Sequence, residues 1–218
     1  MLFRDRYDAG QQLAARLQHY AGDPDAILLA LPRGGIPVAY EVARSLHIPM
    51  DVFIVRKIGV PGHEELAMGA ISSGGVRVLN KAVVEQLAIP ESMIESVARR
   101  EEDELHRREQ LYRGNLPFPD LRGKTAILVD DGLATGATMR VAATAVRSKW
   151  ARRIVVAVPV ASEASCAELE DEVDETICAA MPASFFAVGQ WYEDFRPTSD
   201  QEVRELLMRA VKDLPMAG

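Results

Sequence analysis

The chain has 218 residues, 48% hydrophobic and 6% aromatic, with 25 Lys+Arg against 32 Asp+Glu for a formal net charge of −7. That length suits one elaborated domain, and the apolar share supports a packed core and excludes general disorder. An acidic surface repels phosphate backbones at long range, so nucleic acid and anionic membranes are not expected as partners and a small molecule is.

The opening MLFRDRYDAG carries charges where a signal peptide needs an apolar run. No stretch approaches the ~20 apolar residues of a membrane span, so a cytoplasmic location is expected. Leu13, Ala14 and Leu17 recur at helical spacing and predict a first helix over 7–20. The continuous apolar run 26–31 predicts a strand buried on both faces, which ends at Pro32-Arg33-Gly34-Gly35 and is followed by a helix over 37–46. Residues 52–55 repeat the buried-strand pattern. Periodicity then lapses from Arg56 to Glu65, where glycines, a proline and charges predict a mobile loop. Two weaker extended segments, 68–71 and 76–79, follow.

From Pro90 to Arg113 the composition turns to dense mixed charge with a thin apolar stripe through Met93, Val97, Leu105 and Leu111. This reads as a long solvated helix laced with i,i+4 ion pairs, an insertion without chemistry. Strands are predicted at 125–129, 154–158 and 176–179, separated by helices at 138–149 and 163–171. Alternating strands and helices give an α/β fold, a mainly parallel twisted sheet flanked by helices, with ligands at the carboxyl ends of the strands. The whole chain, 1–218, is expected to be one domain, with a helical insertion at 80–118 and a small C-terminal hood at 180–218.

Cys166 and Cys178 are too few and too awkwardly spaced for a zinc site or a disulfide framework. They read as small buried apolar residues in a reducing compartment. His19, His47 and His106 sit in helical or helix-end surroundings and read as surface residues.

The most specific signal is Ile127-Leu128-Val129-Asp130-Asp131-Gly132-Leu133-Ala134-Thr135-Gly136-Ala137-Thr138. A buried strand runs into two carboxylates, then a small-residue turn, then a helix. Gly136 and the small Ala134 and Ala137 let backbone N–H groups close around a phosphate at a helix N-terminus, while Thr135 and Thr138 add hydroxyl donors. The paired carboxylates would repel that phosphate, so they should face vicinal hydroxyls or a cation, and a sugar phosphate fits both ends. A Walker loop, a Gly-x-Gly-x-x-Gly turn, Gly-x-Ser-x-Gly and His-Glu-x-x-His are all absent.

This motif resembles the 5-phosphoribosyl 1-pyrophosphate (PRPP) loop of the type I phosphoribosyltransferases, and the similarity covers most of the chain. The resemblance implies that Ala134, Thr135, Gly136, Ala137 and Thr138 hold the ribose 5-phosphate and that Asp130 and Asp131 hold the ribose hydroxyls. Arg33-Gly34-Gly35 matches the family's pyrophosphate loop in place and character. Arg56-Lys57-Ile58-Gly59 is similar to the start of the flexible lid in adenine-type members, with Arg56 and Lys57 aimed at the leaving diphosphate. His63-Glu64-Glu65 stands where those enzymes carry a tyrosine-bearing signature. Phe185-Phe186-Ala187-Val188-Gly189 and the aromatic residues after it are similar to the hypoxanthine-guanine branch. That makes Phe186, Val188 and Tyr192 the candidate acceptor contacts and puts Glu193 where that branch has a metal-side aspartate. The implied activity is Mg2+-dependent transfer of the phosphoribosyl group from PRPP to a small-molecule acceptor, a nitrogenous base or related nucleophile, in nucleotide salvage. The alternative is a PRPP-sensing protein without turnover, with the 90–113 helix as its output surface. Acceptor identity and a homodimeric assembly stay open.

Overall fold

The computed structural model describes residues 2–214. In chain order the elements are α1 (Arg6–Arg16), β1 (Ala26–Ala30), α2 (Gly35–Leu46), β2 (Met50–Val52), β3 (Val55–Val60), β4 (His63–Ser72) and β5 (Val76–Leu79). There follow α3 (Lys81–Gln86), α4 (Glu91–Arg113), β6 (Thr125–Val129), α5 (Ala137–Ser148), β7 (Arg153–Val160), α6 (Glu163–Ala167), β8 (Glu175–Ala180) and α7 (Asp200–Asp213). Among the described residues, no helix is long and apolar enough to cross a membrane.

Five strands form a wholly parallel sheet in the order β2-β1-β6-β7-β8. Its central strands are apolar at nearly every position because both faces are covered. Leu28 and Ala30 of β1, Ile127 and Val129 of β6, and Val155 and Ala157 of β7 face the core shared with α1, α2, α4 and α7. Their alternates Ile27, Leu29, Ala126, Leu128, Ile154 and Val156 face α5. Chain order reverses between β1 and β6, since β2 lies on one side of β1 and β6 on the other. That reversal opens a crevice at the strands' carboxyl ends.

The strand expected at 52–55 is divided. Val52 ends β2 in the parallel sheet, while Val55 begins an antiparallel sheet of order β3-β4-β5. The expected mobile loop at 56–65 is instead the β3–β4 hairpin, turning at Pro61-Gly62, with Gly62 at φ 80°. Its alternation is masked by charges: Ile58 and Val60 are buried while Lys57 is exposed. Register slips around Gly59, where a Cβ would stand 2.7 Å from the Glu64 carbonyl oxygen.

Helix α4 packs on β3, β4 and α7 through Ile94, Val97, Ala98, Leu105 and Tyr112. Near its end the buried Arg113 side chain pairs with Asp51 at 3.0 Å and donates to the Val52 carbonyl at 2.7 Å. The helix read as an insertion is therefore bolted to β2. Helix α7 is announced by Ser199-Asp200-Gln201-Glu202, a capping-box spelling in which Ser199 accepts the Glu202 N–H. It belongs to the 180–218 segment, of which residues 215–218 lie outside the described residues. Helix α6 is shorter than expected, and β8 returns Cys178 to Cys166 with the sulfurs 3.2 Å apart. Awkward spacing along the chain thus does not keep the two thiols apart, since the turn after α6 folds back.

The hairpin tip, 61–66, is exposed throughout. Limited proteolysis of the free protein should cut first within this tip, before any cut in β1 or β6, as mapped by mass spectrometry.

Candidate active site

The ends of β1 and β6 lie side by side at the crevice, with Ala30 paired to Val129. The Leu31 amide donates to the Val129 carbonyl at 2.8 Å, and the Gly35 amide closes back on the Leu31 carbonyl at 3.0 Å. The Arg33-Gly34-Gly35 turn is thereby pressed against Asp130-Asp131. A Cβ at Gly35 would stand 2.6 Å from the Val129 carbonyl oxygen and 2.9 Å from Asp130 Cα, and one at Gly34 would collide with the Asp131 carboxylate. Both glycines are needed because two loops touch there.

Asp131 accepts from Arg6 Nε at 2.8 Å, and Arg6 Nη2 also lies 2.8 Å from it. Arg6 is buried, donates through Nη1 to the Arg196 carbonyl at 2.7 Å, and lies 4.0 Å from the centre of the Phe195 ring. The Tyr192 hydroxyl donates to the Asp131 carbonyl at 2.5 Å. Asp130 Oδ1 accepts the Asp131 N–H at 2.8 Å, so the first carboxylate is tied to the backbone of the second. Burial and the Asp131 charge push the Asp130 carboxyl well above the ordinary carboxylate range. Burial also raises Asp131, and the Arg6 guanidinium opposes that rise.

Beyond the carboxylates, Gly136 takes the left-handed conformation (φ 69°) and starts α5. The amides from Ala134 to Met139 donate to no acceptor among the described residues, and the exposed Thr135 and Thr138 belong to the same segment. Converging free N–H groups at a helix start form an anion cradle. The Ser165 hydroxyl, from α6, bonds the Ala134 carbonyl and holds the loop from behind.

The other sequence candidates are placed unequally. Arg33 is exposed, 3.9 Å from Asp200, which in turn accepts the Tyr112 hydroxyl at 2.5 Å. Burial and that bond push the Tyr112 phenol up to about 12. Arg56 gives Nε and Nη2 to the buried Glu101 of α4 at 3.0 and 2.5 Å, leaving Nη1. Lys57 is exposed, and as the next residue of a strand it points to the opposite face, so the two cations do not converge. Phe186 is 88% exposed, whereas Tyr192 is buried under Asp131 and serves as its support rather than an open wall. Val188 packs against Gly132, where a Cβ would meet it at 2.5 Å.

Glu193 is exposed and donates its amide to the Phe3 carbonyl. Among the described residues no three or more His, Cys, Asp or Glu side chains cluster as a metal cage. The remaining Asp130 oxygen suits Mg2+ carried largely by a substrate's own phosphates, the habit of that ion. Arg6, Glu101 and Asp200 are site residues without a sequence signature, since each partner lies far along the chain.

A family model described as phosphoribosyl transferase domain matches residues 62–192, which include Asp130 to Thr138 and exclude Arg33 to Gly35. A Mycobacterium tuberculosis protein, named "Putative phosphoribosyl transferase" in strains CDC 1551 / Oshkosh and H37Rv, is 47% identical over 217 residues, covering 100% of this chain and 49% of the relative. The chain spans about half the length of these curated relatives. The crystal structure of the Thermus thermophilus protein TT1426 superposes with a TM-score of 0.84 at 41% identity, covering 96% of this chain and 99% of that one. A Neisseria gonorrhoeae protein crystallised with bound ppGpp shares the fold, with a TM-score of 0.51 at 14% identity, covering 96% of this chain and 94% of that one.

A Cβ at Gly35 meets backbone, which cannot swing aside. Gly35→Ala should therefore cost about 1–3 kcal/mol in urea unfolding while leaving the secondary structure seen by circular dichroism intact. Asp130 behaves differently. Its raised native pKa makes the protonated form favour folding, a contribution complete below the ordinary value of 3.8 and lost as pH rises through the raised one. Asp130→Asn should then be more stable than the parent at pH 7 by about 1 kcal/mol and should lose that part of the pH dependence, as read by thermal unfolding from pH 4 upward.

Proposed function

Because the chain belongs to the phosphoribosyl transferase domain family, we propose that it moves the 5-phosphoribosyl group of PRPP to a nitrogenous base or related nucleophile, releasing pyrophosphate. The observation that carries this reading is the contact between Gly34-Gly35 and Asp130-Asp131, next to the free amides at 134–139. One crevice thus offers a phosphate cradle, two carboxylates for hydroxyls and a glycine turn open to oxygen-rich groups, in the sequence a phosphorylated, pyrophosphorylated sugar presents them.

Displacing pyrophosphate from the anomeric carbon builds oxocarbenium character on the ribose, so the protein's work is positioning and electrostatics. Asp130 and Asp131 accept hydrogen bonds from the ribose hydroxyls, and Arg6 keeps the Asp131 carboxylate aimed and favours its charged form against the effect of burial. Bound Mg2+ supplies neutralisation of the diphosphate, with Asp130 the residue nearest in character to a ligand. Arg33 reaches the diphosphate from the glycine turn, and Arg56 presents Nη1 while Glu101 fixes its plane. The β3–β4 hairpin tip folds over the crevice to keep water from the cationic ring. Phe186 offers an exposed aromatic face on which an acceptor ring can stack.

The test is pyrophosphate release from PRPP and Mg2+ across a panel of purines, pyrimidines and simple amines. At least one acceptor should support turnover, and Asp131→Asn should lower kcat/KM for it by about 10²-fold, the scale of one lost transition-state contact. PRPP binding without turnover on every acceptor would replace transfer by sensing. Absence of both binding and turnover would remove the reading altogether.

A further inference from the structure

The thiols of Cys166 and Cys178 lie 3.2 Å apart, both half-buried and neither in a disulfide. Cys178 belongs to β8, the last strand of the parallel sheet, whose six residues are all partly exposed. A small reagent can approach from that open edge. Cys166 belongs to the five-residue α6, flanked by turns that can adjust. A disulfide needs the sulfurs only about 1 Å closer. The hydrogen bond between the thiols favours ionisation of Cys166, whereas that bond and burial oppose ionisation of Cys178, so the pair divides into attacking and resolving sulfurs.

Helix α6 is also the backing of the anion cradle. Ser162 caps it by accepting the Ser165 N–H at 3.0 Å, the Ser165 hydroxyl bonds the Ala134 carbonyl, and Gly136 packs beside the Ser165 carbonyl. Whatever fixes Cys166 against β8 therefore fixes the residues behind the loop.

We propose that Cys166 and Cys178 form a reversible thiol–disulfide modification site whose oxidation stiffens the 134–138 loop. The Cys166 thiolate attacks one sulfur of a small-molecule disulfide and expels the other as a thiolate. Cys178, on losing its proton, then attacks Cys166 Sγ and expels the second. The protein loses two protons and two electrons, and the reagent becomes two thiols. The exposed Glu170 sets a negative charge near Cys166, and Glu163, Glu168 and Asp171 lie close to it in sequence, so a neutral or cationic disulfide is the favoured reagent over an anionic one.

The experiment treats the native full chain with cystamine and reads intact mass, cross-linked peptides and amide exchange. The parent should lose two hydrogens with no retained adduct and yield a 166–178 cross-link. Cys178→Ser should instead retain a cystamine adduct on Cys166. Exchange at the hydrogen-bonded amides of Leu133 and Arg140, which bracket the loop, should slow about threefold or more in the oxidised parent, revert with a thiol reductant, and stay unchanged in treated Cys178→Ser. A stable adduct on the parent, a cross-link formed only after denaturation, or unaltered exchange at Leu133 and Arg140 in the cross-linked protein would overturn the proposal. None of these readouts needs PRPP, so the result stands apart from the transferase reading.

Discussion

Two loops from neighbouring parallel strands meet with no side chain between them, and most of the site follows from that contact. Gly34 and Gly35 lie directly on Asp130 and Asp131, which sets the distance between a turn that can face a diphosphate and carboxylates that can face a ribose. The same closeness buries two acidic groups side by side, which is unfavourable unless a cation answers them. Arg6 is that cation. Its guanidinium takes the Asp131 carboxylate on one edge, the Arg196 carbonyl on another, and the Phe195 ring on its face.

Satisfying Arg6 explains why segments from both ends of the chain converge here. Phe3 pairs with Tyr192, whose ring packs on Phe195 and whose hydroxyl reaches the Asp131 carbonyl. Further polar ties run from α4, where Glu101 orients Arg56 and Tyr112 orients Asp200 beside Arg33. The charged helix thus contributes to the site through the cations it steadies. Its solvated face gives it the composition of a surface element, and its inner face ties it to residues around the crevice.

The parallel sheet was legible because burial on both faces leaves unbroken apolar runs, and those at 26–31, 125–129 and 154–158 are too short to be buried helices. Asp130 to Thr138 was legible because strand, carboxylates, small turn and helix are contiguous. What escaped reading is non-local. In the hairpin at 55–72, β3 buries the alternate residues Ile58 and Val60, but Arg56, Lys57, His63 and Glu64 crowd the segment with charge and conceal the period. Arg6 looks like any helix-start arginine until Asp131, 125 positions away, is brought against it. Cys166 and Cys178 likewise look unrelated until a short helix and an edge strand bring their sulfurs together.

The Arg6 contacts also set a timetable for assembly. One runs across 125 positions and another across 190, so the ion-paired centre spans nearly the whole length of the polypeptide. Closing such long loops is entropically slow, and during synthesis the strands and the cradle at 134–138 can organise well before residue 196 leaves the ribosome. Until then the Arg6 guanidinium beside Asp131 lacks the Arg196 carbonyl and the Phe195 ring that hold it in place. A nascent or partly unfolded chain therefore acquires its sheet early and the full support of its carboxylate pair last.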